Sequence, residues 1–199
     1  MFTQNKNATN KTSTGHKLHS IHVLPQGREF TGKIEVGRGS HQFTFTPKTA
    51  ASVNGKLVLM GSVRVKTPAG LQSAADGVTA TLLATQGSIT VPSPAPKGLA
   101  PSLKPPQPAI SESPITDWTG HLGSVAVMYL KLSPLDGRAL GVPVDLSSVQ
   151  LNARMFPTSE IERDLHWLYS ALVEAMGGES RDERRAAGYL GEINRILNA

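Results

Sequence analysis

The sequence predicts a mainly β domain, an antiparallel sandwich or partly open barrel, followed by a C-terminal α-helical hairpin, α+β overall. Three observations carry this. Apolar and polar residues alternate with period two through most of residues 28–155. Turn dipeptides such as Asn54-Gly55 and Asp136-Gly137 punctuate that alternation. Beyond residue 157 the apolar spacing changes to that of a helix. The 199 residues then divide into a flexible basic polar tail (1–26), a β domain of about eight strands (27–156) and a helical hairpin (157–199).

The tail assignment rests on composition. Residues 1–20 are dominated by Asn, Thr, Lys, Ser and Gln, with too little apolar surface for a core or the apolar stretch of a secretory signal. The first strand is expected where Phe30, Gly32, Ile34 and Val36 alternate with Thr31, Lys33 and Glu35. Gly37-Arg38-Gly39 reads as a hairpin turn, and Phe43 and Phe45 mark a second strand that Pro47 is expected to stop. Asn54-Gly55 joins Ala51–Val53 to a strand from Lys56 through Val65, because both turn positions favour φ > 0. Asp76-Gly77 is expected to open the next strand, with Val78, Ala80 and Leu82 facing inward.

Residues 92–114 hold eight of the 14 prolines. They cannot lie inside a sheet, and residues 115–156 supply only about three strands, too few for a separate sandwich. The segment is therefore expected to be an excursion within one β domain rather than a linker between two. Val125–Leu130 and Val149–Met155 complete the strands. In the hairpin, Ser159 with Glu162 forms a capping box ahead of Ile161, Leu165, Leu168, Leu172 and Met176. Ser180 with Glu183 repeats it ahead of Ala186, Leu190, Ile193 and Leu197. The short Gly177–Glu179 connection makes the two helices antiparallel neighbours.

Composition removes several function classes. With no cysteine there is no disulfide, thiolate nucleophile, Cys-ligated zinc or iron–sulfur cluster. No apolar run is long enough for a membrane-spanning helix, so no membrane partner is implied and a cytoplasmic location is expected. The net charge of +5 is unevenly spread. Residues 1–66 carry ten Lys/Arg against Glu29 and Glu35, whereas residues 157–199 carry five Arg against eight Asp/Glu. Lys6, Lys11, Lys17, Arg28, Lys33 and Arg38 are the candidate contacts to a polyanion such as nucleic acid.

Two clusters offer chemistry. His16, His19 and His22 form H-x-x-H-x-x-H, and three imidazoles suit Zn, Cu or Ni. Neither a strand nor a helix places all three on one side, and adventitious binding by a tail explains the pattern equally. Asp117 and His121 flank Trp118 where the proline-rich segment re-enters the sheet. An Asp–His pair serves acid–base catalysis and an indole stacks on a sugar or base, yet a turn cap beside a core-edge Trp has the same residues. No activated nucleophile or phosphate-binding loop accompanies either cluster, so no cofactor is implied. Trp167 and Tyr169 flank Leu168 and cannot all face one core, so at least one is expected to be exposed or to meet a second surface. With His166 they are the candidate contacts to a protein partner or a second copy of the chain. These observations together predict a non-catalytic binding or assembly module working through the hairpin and the β surface. Polyanion binding by the basic N-terminal half and a metal-dependent enzyme built on the histidines are the alternatives.

Overall fold

In the computed structural model, residues 16–37, 39–87, 95–104, 125–177 and 181–199 are described. Seven strands form a closed barrel: β1 (Ser20–Gln26), β2 (Glu29–Val36), β3 (Gly39–Val53), β4 (Lys56–Lys66), β5 (Gln72–Gln86), β6 (Val127–Leu132) and β7 (Gln150–Arg154). Two helices follow, α1 (Glu160–Gly177) and α2 (Glu183–Leu197). Successive strands pair antiparallel, and β1 closes against β7 in parallel, Ser20 opposite Gln150 through Val23 opposite Ala153. The barrel falls within the fold class expected from sequence, and it is closed. β5 pairs with β6, so the proline-rich segment between them is a connection inside one barrel.

Three boundaries are corrected. The polar tail does not extend to residue 26: Ile21 and Val23 are buried and β1 is the closing strand. Pro47 does not stop β3, because the register shift between Pro47 and Thr49 lets the strand continue as a bulge to Val53. Asp76-Gly77 does not open a strand but sits inside β5. There Ser62 faces Asp76 and Gly61 faces Val78, leaving Gly77 unpaired at φ 68°. Asn54 and Gly55 do make the expected turn, with φ of 51° and 73°.

Seven strands enclose little more than their own side chains. Phe43, Phe45, Leu57, Leu59, Met128 and Leu130 are fully buried within one continuous core that fills the lumen. Both barrel ends must also be covered. Residues 133–149 close one, burying Leu135, Leu140, Val142 and Leu146. α1 lies at the other, and every residue from Leu165 to Leu172 is buried, as in a helix enclosed on all sides. Trp167 packs edge-on against Tyr189 of α2, ring centroids 5.9 Å apart, while Tyr169 packs near Phe30 and Met155 of the barrel. The second surface expected for these aromatics is thus the chain's own.

Polar contacts fix the helices in place. Glu162 completes the capping box, its Oε2 accepting from Ser159 N–H while its own N–H donates to Ser159 Oγ. The same carboxylate accepts from Thr158 and from Gly27 N–H, in the β1–β2 turn, at 2.7 Å. Burial pushes this carboxyl up, but the hydrogen bonds from Gly27, Thr158 and Ser159 outweigh it and bring its pKa down to about 2. His166 donates from Nε2 to the Val125 carbonyl (2.8 Å), and Val125 N–H donates to Ser170 Oγ, tying the entry of β6 to α1. Asp182, rather than Ser180, caps α2 by accepting from Arg185 N–H; Ser180 lies outside the described residues.

α2 also covers the part of β3 that extends beyond β2. Asn194 accepts from Ala50 N–H (2.7 Å) and donates to its carbonyl (2.9 Å), standing in for a neighbouring strand. The 3₁₀ turn Pro101–Leu103 docks on α2 as well. Tyr189 donates to the Leu103 carbonyl (2.7 Å), and the Leu103 side chain occupies the space a Cβ on Gly188 would need. No helix among the described residues is long and apolar enough to cross a membrane.

Two outcomes follow. Glu162→Gln removes the charge from four hydrogen bonds and is expected to cost on the order of 2 kcal/mol at pH 7, read by denaturant unfolding. Because the folded pKa is lowered, this stability is present above the ordinary carboxylate pKa of 4.5 and is lost as pH falls toward 2. The wild-type advantage over the variant should shrink across that window, and a pH-independent difference would contradict the assignment. Gly188→Val should displace Leu103 and release the docked turn. Trypsin cleavage after the exposed Lys97 is then expected to accelerate with little change in Tm, and an unchanged rate would refute the docking.

Candidate functional site

The barrel lumen is filled, so the concave surfaces of the described residues lie outside it or at its ends. Arg28, Glu162 and Tyr169 line a pocket of about 10 Å³, room for no more than one water. A second concavity of about 420 Å³ lies over residues 135–146, and its carboxylates serve local turns. Asp136 accepts from Arg138 and Ala139 N–H, and Asp145 from Ser147 N–H.

A groove of about 1060 Å³, larger than these two, lies on the outer face of β1, β2 and β3 and reaches Arg154 at the end of β7. Strand alternation builds it. Ile21, Val23, Ile34, Phe43 and Ala153 point into the core, which leaves His22, Leu24, Lys33, Gln42 and Arg154 on the outside. The backbones approach closely here: a Cβ on Gly32 would lie 2.3 Å from the His22 carbonyl oxygen, so the β1–β2 crossing needs glycine.

The groove carries two cations, Lys33 and Arg154, and one acid, Glu35. Lys33 and Arg154 are exposed and form no ion pair among the described residues. Glu35, the acidic side chain lining it, accepts a hydrogen bond from Ser40 Oγ at 2.9 Å. In the row that crosses Lys33, Gln42 pairs with it and Lys66 follows on β4, about 10 Å away at the usual strand spacing. Lys131 of β6 stands opposite Gln150, itself beside Ser20 at the groove's rim. Glu29, the other acid of the basic half, is engaged with Arg64 at 2.6 Å.

The residues singled out from sequence fall into five groups. Lys33 and His22 line the groove, His22 as a polar wall residue. His16 and His19 are exposed on the approach to β1, and no group of ligating side chains with metal geometry occurs among the described residues. Lys17 is exposed and makes a backbone bridge to Asp145, while Arg28 sits partly buried in the β1–β2 turn. Lys6, Lys11, Arg38, Asp117, Trp118 and His121 lie outside the described residues. His166, Trp167 and Tyr169, expected from sequence as partner contacts, are buried within the chain at 2%, 3% and 1% exposure. Burial lowers the His166 pKa and favours its neutral form, as suits a structural hydrogen bond.

Sequence reasoning missed Arg154, Tyr129 and Phe156. Arg154 is placed at the groove only by the β1–β7 closure, which no local pattern announces. Phe156 directly follows the alternation Val149, Leu151, Ala153, Met155 and falls in its outward phase; it is 74% exposed. No family model matches the chain, and neither the curated proteins nor the solved structures contain a match.

Proposed function

We propose that the chain is a non-catalytic binding module that holds an anionic polymer against the outer face of its barrel. One observation carries the reading: the groove over β1–β3 presents Lys33 and Arg154, with no ion pair among the described residues, against one acid, Glu35, and among Gln, Ser and Thr side chains suited to donate to oxygen anions. The filled lumen argues against a carrier of small apolar ligands. The buried hairpin aromatics argue against assembly through Trp167 and Tyr169. Cations spaced along strands fit a partner with regularly repeated charge, bound through its backbone.

Titration of a labelled oligonucleotide and of labelled heparin, at low and at physiological salt, tests this. Affinity should fall steeply with salt, with a log–log slope corresponding to about two to four released counterions. The double variant Lys33→Glu/Arg154→Glu should weaken low-salt binding at least tenfold and flatten the slope, while its Tm stays close to wild type because both residues are exposed. Equal binding by the variant, or none by the wild type at low salt, would remove the proposal.

A further inference from the structure

We infer that the polymer is single-stranded nucleic acid, its bases stacking on Phe156 and Tyr129 and its phosphates meeting Arg154 between them. The inference rests on the polyanion reading above and narrows it. Charge alone does not distinguish a sulfated glycan, a duplex and a single strand; exposed aromatic faces do, because among these a single strand alone offers unstacked bases along its length.

The geometry points to such a platform. Met155 N–H donates to the Ala126 carbonyl at 2.8 Å, so the β6–β7 ladder runs one residue past β7 and alternation carries to position 156. Met155 is 3% exposed and faces the core; Phe156 faces outward. Pro157 restrains residue 156 to extended backbone, so the ring is presented from a defined position on a strand end. Tyr129 stands opposite Asn152, and Val127 opposite Arg154, on the same outer face. Tyr129 is partly exposed, and its hydroxyl donates to Gln86 Oε1 at 2.6 Å, which holds its position. Along β7 the order is therefore the Tyr129 level, Arg154, then Phe156, with the aromatics about 13 Å apart along the strand.

The neighbours suit the same ligand. On β1, His22 lies opposite Asn152, and Leu24 follows on the outward side beside the end of the β1–β7 ladder. Lys33, on β2, lines the same groove as Arg154. A protein partner seeking Phe156 and Leu24 would have to desolvate exposed Arg154 and Lys33. A nucleic acid neutralises them.

The deciding experiment is fluorescence anisotropy of the full chain with a labelled oligothymidylate of about twenty nucleotides, a duplex of equal length and heparin, run on wild type, Phe156→Ala, Phe156→Trp and Lys33→Glu. Expected are tighter binding of the single strand than of the duplex, a loss of about tenfold for Phe156→Ala on the single strand alone, and recovery in Phe156→Trp. Lys33→Glu should weaken all three ligands. Phe156 is exposed, so Phe156→Ala should retain the wild-type Tm, and a thermal melt verifies it. If Phe156→Ala binds the single strand as wild type does, or duplex or heparin binds as tightly as the single strand, the inference is overturned while the polyanion reading stands. If no polyanion binds wild type at low salt, both are overturned.

Discussion

The parallel pairing of β1 with β7 is the contact on which the rest of this structure depends. An antiparallel meander with an odd number of strands ends in the direction in which it began. Seven strands can therefore close only through a parallel seam, here residues 20–23 against 150–153. Without that seam β1 and β7 would be open sheet edges, and Ile21, Val23, Leu151 and Ala153 would lose their cover. The seam joins segments more than a hundred residues apart, so β7 must be formed before the barrel can shut.

Closure sets the task of the remaining chain. A short barrel with a filled lumen leaves two apolar ends, and the sequence devotes residues 133–149 to one and α1 to the other. Glu162 is placed to couple these events, because one carboxylate both caps α1 and accepts from the turn between β1 and β2. α2 then covers the overhanging part of β3 through Asn194 and receives Leu103 above Gly188. The hairpin is thus committed to structure on every side that carries its large aromatics. Surface chemistry is left to the outer face of the barrel.

This explains which features were legible in the sequence. Local periodicity announced β2, the Asn54-Gly55 hairpin, β4, β7 and both helices, because each signal lies within one element. Pro47 and Gly77 misled because stop signals and bulge signals use the same residues; only the partner strand tells a bulge from an end. β1 was hidden because Ile21 and Val23 are its buried pair, set among histidines and followed by Pro25. Of the groove, Lys33 was visible as a basic residue on an alternating strand. Arg154 belongs to the groove solely through the seam, and the outward phase of Phe156, one residue past the alternation that ends at Met155, was there to be read.

Because the seam builds the groove, fold and site are one equilibrium. His22 and Lys33 come from the first two strands and Arg154 from the last, and they share a surface only when the barrel is shut. Any ligand spanning them binds the closed state and not the open chain, and so stabilises closure by RT ln(1 + [L]/Kd), about 2.7 kcal/mol at a hundredfold excess over Kd. The reverse also holds. The like charges of Lys33 and Arg154, brought to one face by closure, oppose it slightly in the free protein, and an anionic ligand relieves that opposition. On the proposed reading, that small cost in the unliganded barrel is recovered when an anionic ligand binds.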